Sequence, residues 1–158
     1  MSAESVAKYW KDFCAHAGVD VSEPFQSWYF GDSRELADKL NKLVLDGTKR
    51  ATACLKDPDD DPTRPVDGQY CVVTDFDGEP KFVIRLTEVR HMPFNEVDAA
   101  FAFDEGEGDR SLDYWRQAHW DFFSRCPDEV NGELSPTMMV TCQRFELLFP
   151  ADAASQPE

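Results

Sequence analysis

The sequence predicts a mainly β domain with flanking helices, an α+β chain built on a small antiparallel barrel or curved sheet. Three observations carry this. "QYCVVTDF" and "KFVIRLTEVR" are rich in β-branched and aromatic residues and flank "DGEP". An Asp-Gly turn between two such runs is a strong short-range hairpin signal. "TMMVTCQRFELLF" and the weaker "ATACL" add further strand-like runs. The helical stretches fall between these runs irregularly rather than in strand–helix alternation, which argues against a doubly wound parallel sheet.

Each element follows from its pattern. "SAESVAKYWKDFCAHAG" reads as a helix over about residues 3–17, with Val6, Tyr9 or Trp10, and Phe13 at helical spacing and Gly18 as its stop. "VDVSEPFQSWYFGD" reads as irregular and aromatic. Asp32 starts the clearest helix as its cap, with Glu35 at the capping-box position. Leu36, Leu40, Leu43 and Val44 form its apolar stripe, and Gly47 ends it. Two adjacent cations, Lys49 and Arg50, therefore follow a helix end and precede the strand "ATACL". "KDPDDDPTRPVDG" is a proline-rich, acidic, solvated loop. After the hairpin, "NEVDAAFAF" reads as a short helix capped by Asn95, and "DEGEGD" as a glycine-spaced acidic loop. "SLDYWRQAHWDFF" is a helix with Leu112, Trp115, His119 and Phe122 on one stripe, which makes His119 a packed or hydrogen-bonded core histidine. "TMMVTCQRFELLF" is the last strand, and residues 150–158 are expected to form a disordered tail.

At 158 residues the chain is read as one domain over 1–158, with its core at about 28–149. A chain of this size buries a substantial core without staples. Its formal charge of −15 excludes binding along a phosphate backbone through the general field, so long duplex nucleic acid is not an expected partner. Any nucleic-acid contact must come from a local basic cleft, whereas small neutral or cationic ligands are easier to accept. The five cysteines form no C-x-x-C, and no histidine stands at zinc-finger spacing from a pair, which points to reduced thiols. The N-terminal stretch has no signal-peptide core, and no apolar run approaches the roughly 20 residues of a membrane span. The expectation is a soluble cytoplasmic protein with no membrane partner.

Standard chemical templates are missing. There is no phosphate-binding glycine loop, no H-x-x-x-H pair and no nucleophile elbow, so neither a metal nor a cofactor is expected. What remains are polar residues beside glycines at strand edges, namely Lys49, Thr52 and Glu105. By local sequence alone each has an ordinary reading: an exposed lysine at a helix C-terminus, a β-branched strand residue and a solvated loop carboxylate.

Longer stretches add a resemblance. "WYFGDSRELADKLNKLVLDGTKRATACL", then "VIRLTEVRHMPFNEVDAAFAFDEGEGDRSLDYWRQAHWDFF", resemble ASCH-domain proteins of the larger bacterial type, from about Trp28 to Phe149. The family pattern of a glycine, a lysine and a threonine entering a strand matches Gly47, Lys49 and Thr52. "P-F-x-x-V", "E-G-E-G-D-x-S-L-x-Y-W" and "H-W-x-F-F" follow in the same order. The resemblance implies a PUA-like antiparallel β-barrel with flanking helices and a cleft suited to a nucleobase or RNA. A small relative hydrolyses acetylated cytidine with a lysine, a threonine three residues on and a later glutamate, which correspond here to Lys49, Thr52 and Glu105. Other larger members resemble ribonucleases acting on single strands. The chain departs from the common pattern at Arg50, where many members carry a small or hydroxyl residue.

Two functions from different classes follow. One is a hydrolase acting on a modified nucleoside, through the amide of an acylated cytidine, or on short single-stranded RNA. Lys49, Thr52 and Glu105 are then catalytic, with Lys49 a general base if burial lowers its pKa. The alternative is a non-catalytic module that binds RNA or a modified nucleotide. In both, Trp28 and Tyr29 are expected to stack on a base and Arg50 to contact a phosphate or pair with the acidic loops.

Overall fold

The computed structural model describes residues 2–55, 64–125 and 134–150. A five-stranded sheet forms a half-barrel with helices packed around it, in the order β1-β3-β4-β5-β2. The strands are β1 (Phe25–Tyr29), β2 (Ala51–Leu55), β3 (Tyr70–Thr74), β4 (Pro80–Pro93) and β5 (Met139–Phe149). All neighbouring pairs are antiparallel except β1 with β3. The expected hairpin is β3–β4, closed where Asp75 N–H donates to Glu79 O (2.8 Å) and Gly78 N–H to Asp75 O (3.0 Å). β4 and β5 pair along nearly their whole lengths, with register shifts at Val83/Ile84 and Leu86/Glu88. Such irregularities bend strands and increase their twist, which suits a sheet curving into a half-barrel.

Strand β1 lies within the stretch expected to be irregular. "FQSWY" does not alternate cleanly between apolar and polar residues. Its partner, Tyr70–Thr74, pairs with it in parallel from far along the chain, so the strand is dictated by tertiary pairing rather than local pattern.

The helices cover the sheet through three apolar clusters. Helix α1 (Ser2–Ala17) places Trp10, Phe13 and Cys14 against Val72 and Val83, and Gly18 terminates it with N–H to Cys14 O at 2.9 Å. Helix α2 (Arg34–Leu45) lays Leu40 and Val44 on Cys71, Phe82, Ile84 and Phe145. Its cap is Ser33, whose hydroxyl accepts from Leu36 N–H at 3.2 Å, and not the expected Asp32. The Asp32 carboxylate instead accepts from Arg125 Nε at 2.8 Å. After a 3₁₀ turn at Phe94–Glu96, helix α3 (Ala99–Glu105) is capped by Asp98, whose carboxylate accepts from Phe101 N–H at 2.9 Å. The expected cap, Asn95, lies inside the 3₁₀ turn, three residues too early. Helix α4 (Leu112–Ser124) buries Trp115, His119 and Phe123, each one turn apart. The third cluster joins α3 and α4 to β2 and β5 through Ala51, Phe101, Trp115, Phe123 and Val140. No described helix is long and apolar enough to cross a membrane. Most of the acidic loop after β2 and residues 151–158 of the expected tail lie outside the described residues.

Candidate functional site

The site forms where the end of α2 meets the end of α3. Beyond α2, Thr48 and Lys49 both donate their N–H to Leu43 O at 3.0 Å, turning the chain toward β2. Arg50 N–H donates to Asp104 O (2.7 Å), and Arg50 O accepts from Phe145 N–H (3.0 Å). This residue therefore ties the α3 terminus to the sheet. Gly106 ends α3 with φ +73°, and a Cβ there would lie 2.5 Å from Thr48 O. Both the left-handed conformation and the close approach require glycine. Gly106→Ala is expected to lower stability by about 1–3 kcal/mol, since the obstacle is backbone that must shift. A thermal melt matching the parent's would show that this contact does not hold the two segments together.

This clamp brings Lys49 against Glu105, and each is only 1% exposed. Lys49 Nζ donates to Ala51 O (2.8 Å), Glu105 Oε1 (3.0 Å) and Glu107 Oε2 (2.8 Å). Together with a longer contact to Glu105 O at 3.4 Å, these acceptors engage all three hydrogens of an ammonium. The same nitrogen lies 5.3 Å from the centroid of the Phe30 ring. Glu105 Oε2 accepts from Trp115 Nε1 (2.5 Å) and faces His119 Nε2 at 3.1 Å.

The charges follow from these contacts. Burial disfavours the Lys49 ammonium, but Glu105 and Glu107 outweigh it and raise its pKa above the ordinary lysine value. Burial likewise disfavours the Glu105 carboxylate, and Lys49 and His119 reverse that, holding it below the usual carboxylate range. Lys49 at rest is thus a cation with its hydrogens committed. A free base at neutral pH, which the sequence reading requires, would need desolvation to win. Two carboxylates within 3.0 Å make it lose.

Glu105, Glu107 and His119 place three potential donor atoms within 4.8 Å of one another. The Lys49 ammonium is bonded to both carboxylates, which makes them the lysine's counter-charges.

Beside this cluster opens a cavity of about 290 Å³. Thr52, Glu105, Glu107, His119, Asp121 and Arg125 supply its polar wall, and Phe30, Tyr114 and Phe122 its rings. Thr52 and Glu105 therefore border one concave space, with Lys49 buried behind it. Trp28 and Tyr29 are not among the lining residues. Strand alternation turns them to opposite sides: Trp28 packs edge-on against Phe30 at 4.9 Å, and Tyr29 sits against Phe76 at 5.1 Å. The ring that reaches the cavity is Phe30, next in the same "WYF" run. Arg50 is also outside the lining and pairs with Asp104 Oδ1 at 3.1 Å, on the acidic side of its expected roles. Sequence reasoning missed Glu107, whose signal was its place two residues after Glu105 in "EGE", across the glycine that presses on Thr48.

Comparisons with known proteins agree with this architecture. A family model described as ASCH domain matches residues 26–148. The crystal structure of an ASCH domain from Lactobacillus crispatus JV V101 is similar at 31% identity and TM-score 0.82, covering 91% of this chain and 94% of that one. A protein from Enterococcus faecalis V583 is similar at 33% identity and TM-score 0.80, covering 92% of this chain and 94% of that one. No curated protein matches the sequence. A family model spanning most of the sequence and two structures of the same fold over nine-tenths of it lead to one conclusion: this chain belongs to the ASCH-domain family, a PUA-like fold of the RNA-binding class.

Proposed function

We propose that the cavity holds a single modified nucleobase and that Thr52, Lys49 and Glu105 hydrolyse the amide of an acylated cytidine. The observation that carries this reading is that Thr52 and Glu105 line one cavity, with the buried Lys49 paired to Glu105 behind it. The cavity volume, near 290 Å³, falls just below the roughly 300–1,000 Å³ of small-molecule sites and suits one base better than a strand. Rings on several sides offer stacking faces, worth about 1–3 kcal/mol per base. Glu105, Glu107 and Asp121 favour N–H donors over phosphates, and the one arginine of the lining, Arg125, is bonded to Asp32. Acidic walls and small volume together favour the nucleoside amide over a ribonuclease substrate.

In this mechanism Thr52 Oγ1 adds to the acyl carbonyl carbon. Its proton passes through Lys49 to Glu107: as Nζ hands a proton to that carboxylate 2.8 Å away, its lone pair accepts the one from threonine. Collapse breaks the C–N bond, and the cytosine nitrogen departs with a proton. Water then cleaves the threonine ester, releasing a carboxylic acid and restoring the hydroxyl.

The test is incubation with N4-acylated cytidines, unmodified nucleosides and short single-stranded RNA, followed by mass spectrometry. Conversion of the acylated cytidine to cytidine and free acid, with RNA intact, is the expected result. Cleavage of RNA would turn the assignment to a ribonuclease. Thermal stabilisation by nucleosides without turnover would leave a binding module.

A further inference from the structure

The acceptors around His119 define its protonation. Its Nδ1 lies 2.9 Å from Trp115 O, a carbonyl that can only accept, so Nδ1 carries a hydrogen. Its Nε2 lies 3.1 Å from Glu105 Oε2. That oxygen also accepts from Trp115 Nε1, and the other carboxylate oxygen accepts from Lys49, the pattern of an ionised carboxylate. A hydrogen bond across the 3.1 Å therefore requires a hydrogen on Nε2 as well. The Trp115 indole is stacked on the imidazole at 4.2 Å between centroids with 19° between planes, a face-on arrangement that favours a cation. With Lys49 and His119 positive and Glu105 and Glu107 negative, the four-group cluster is neutral. With a neutral His119 it would hold an uncompensated charge around Glu105, which is almost wholly buried.

We infer that His119 is an imidazolium in the resting protein and a positioning residue that supplies, through Glu105, the proton leaving with the cytosine nitrogen. The functional part rests on the hydrolase reading; the resting charge does not. As the C–N bond breaks, His119 Nε2 passes its proton to Oε2 of the ionised Glu105, and the departing nitrogen takes that proton, leaving Glu105 a carboxylate again. His119 is left as the neutral Nδ1–H form still bonded to Trp115 O. After product release, Glu107 gives up the proton it took from threonine to solvent and solvent reprotonates His119, so the cycle gains and loses no proton. The groups facing His119 are Glu105 at the end of α3, Glu107 in the loop beyond it and Lys49 before β2. Asp121 and Arg125 on its own helix border the same cavity. Cys142 on β5, the nearby titratable group of the sheet, is neutral because burial pushes its thiol up to about 12.

The same contacts set the sign of the pH dependence. Burial opposes the imidazolium, but Glu105 and Glu107 overcome it and raise the pKa above the ordinary histidine value of 6.5. Its contribution to stability is fully present below pH 6.5 and is lost as pH rises through the folded-state value. Turnover should fall over the same interval.

Two measurements test this on the full chain. Long-range ¹H–¹⁵N NMR of the His119 ring should show both nitrogens protonated at pH 7, and Glu105→Gln should return the ring to the neutral form at that pH. A ring already neutral at pH 7 in the parent overturns the inference whether or not the protein hydrolyses anything. His119→Gln keeps an N–H donor toward Glu105 but cannot supply a proton. It should lower kcat about 100-fold or more with little change in KM, and remove the alkaline fall in the pH profile. A doubly protonated ring in the parent, together with an unchanged alkaline fall in a folded His119→Gln protein, overturns the proton-supply role and leaves the hydrolase reading standing.

Discussion

Replacing Lys49 by alanine is expected to destabilise the fold by about 3–5 kcal/mol, the loss seen when one partner of a buried ion pair is removed. A lysine in an open cleft would contribute little to the core, which is what the sequence suggests for a cation at a helix end. The structure places Lys49 and Glu105 at 1% exposure each, 3.0 Å apart. Truncation leaves Glu105 and Glu107 with His119 as counter-charge, a net negative charge in a buried cluster, and it also removes the donor to Ala51 O at the start of β2. Lost turnover in Lys49→Ala would therefore confound chemistry with folding, and urea unfolding must accompany the assay. The double variant Lys49→Met/Glu105→Gln removes both charges and keeps most of the volume. It should recover a large part of the loss, because the penalty comes from the unpaired charge more than from absent contacts. The sign with pH is also defined. Without Lys49 the Glu105 carboxyl titrates at higher pH, so the deficit of Lys49→Ala should shrink as the solution is acidified and the carboxyl takes up a proton. If Lys49→Ala unfolds within about 1 kcal/mol of the parent at neutral pH, the pair does not hold the site together, and the charge argument for Lys49 fails with it.

What the sequence could and could not show about this region has a consistent physical cause. Strands β2 to β5 were legible because each carries its own local signal, whether an Asp-Gly turn or a β-branched run. Strand β1 was not, since its five residues pair in parallel with a segment beyond the next helix, strand and loop. Asp32, Ser33, Asn95 and Asp98 are all acceptable caps by type. The choice among them depends on where the helix axis is packed, and the packing takes Ser33 and Asp98. In "WYF" the sequence shows three rings but not where the strand ends: β1 stops at Tyr29, and Phe30, just beyond it, is the ring of the three that lines the cavity. Lys49, Thr52 and Glu105 were named together only through resemblance to a family. What resemblance could not supply is the protonation of the lysine. It depends on Glu107 reaching Nζ at 2.8 Å, across a glycine turn whose only sequence trace is "EGEG". His119 was correctly expected to be buried on the α4 stripe. Its carboxylate partner comes from the end of a different helix and has no local signature.

The largest effect on turnover is expected at Thr52, where valine should abolish hydrolysis of an acylated cytidine while leaving the fold intact. Threonine and valine are nearly isosteric, and both are β-branched residues that suit the strand pairing of Thr52 with Gln143. Thr52 is only half-buried at the cavity wall, so losing its hydroxyl should cost about 0.5–1.5 kcal/mol, and the unfolding midpoint should stay close to the parent's. Valine nevertheless has no oxygen to form the acyl ester, so the first covalent step is removed rather than slowed. Serine restores a hydroxyl but loses the methyl that restricts χ1. Thr52→Ser should therefore keep measurable turnover, below the parent because the oxygen is less firmly held. The contrast between the two variants separates chemistry from packing, since serine is the poorer fit to a strand and valine the better. Intact-protein mass spectrometry during turnover supplies a second readout: a transient mass increase equal to the acyl group in the parent and in Thr52→Ser, and none in Thr52→Val. A folded Thr52→Val protein that still releases cytidine at the parent rate would remove the covalent step from the mechanism. The reaction would then have to proceed by direct attack of water, with Lys49, Glu105 and Glu107 as the proton-handling groups and Thr52 serving only as part of the cavity wall.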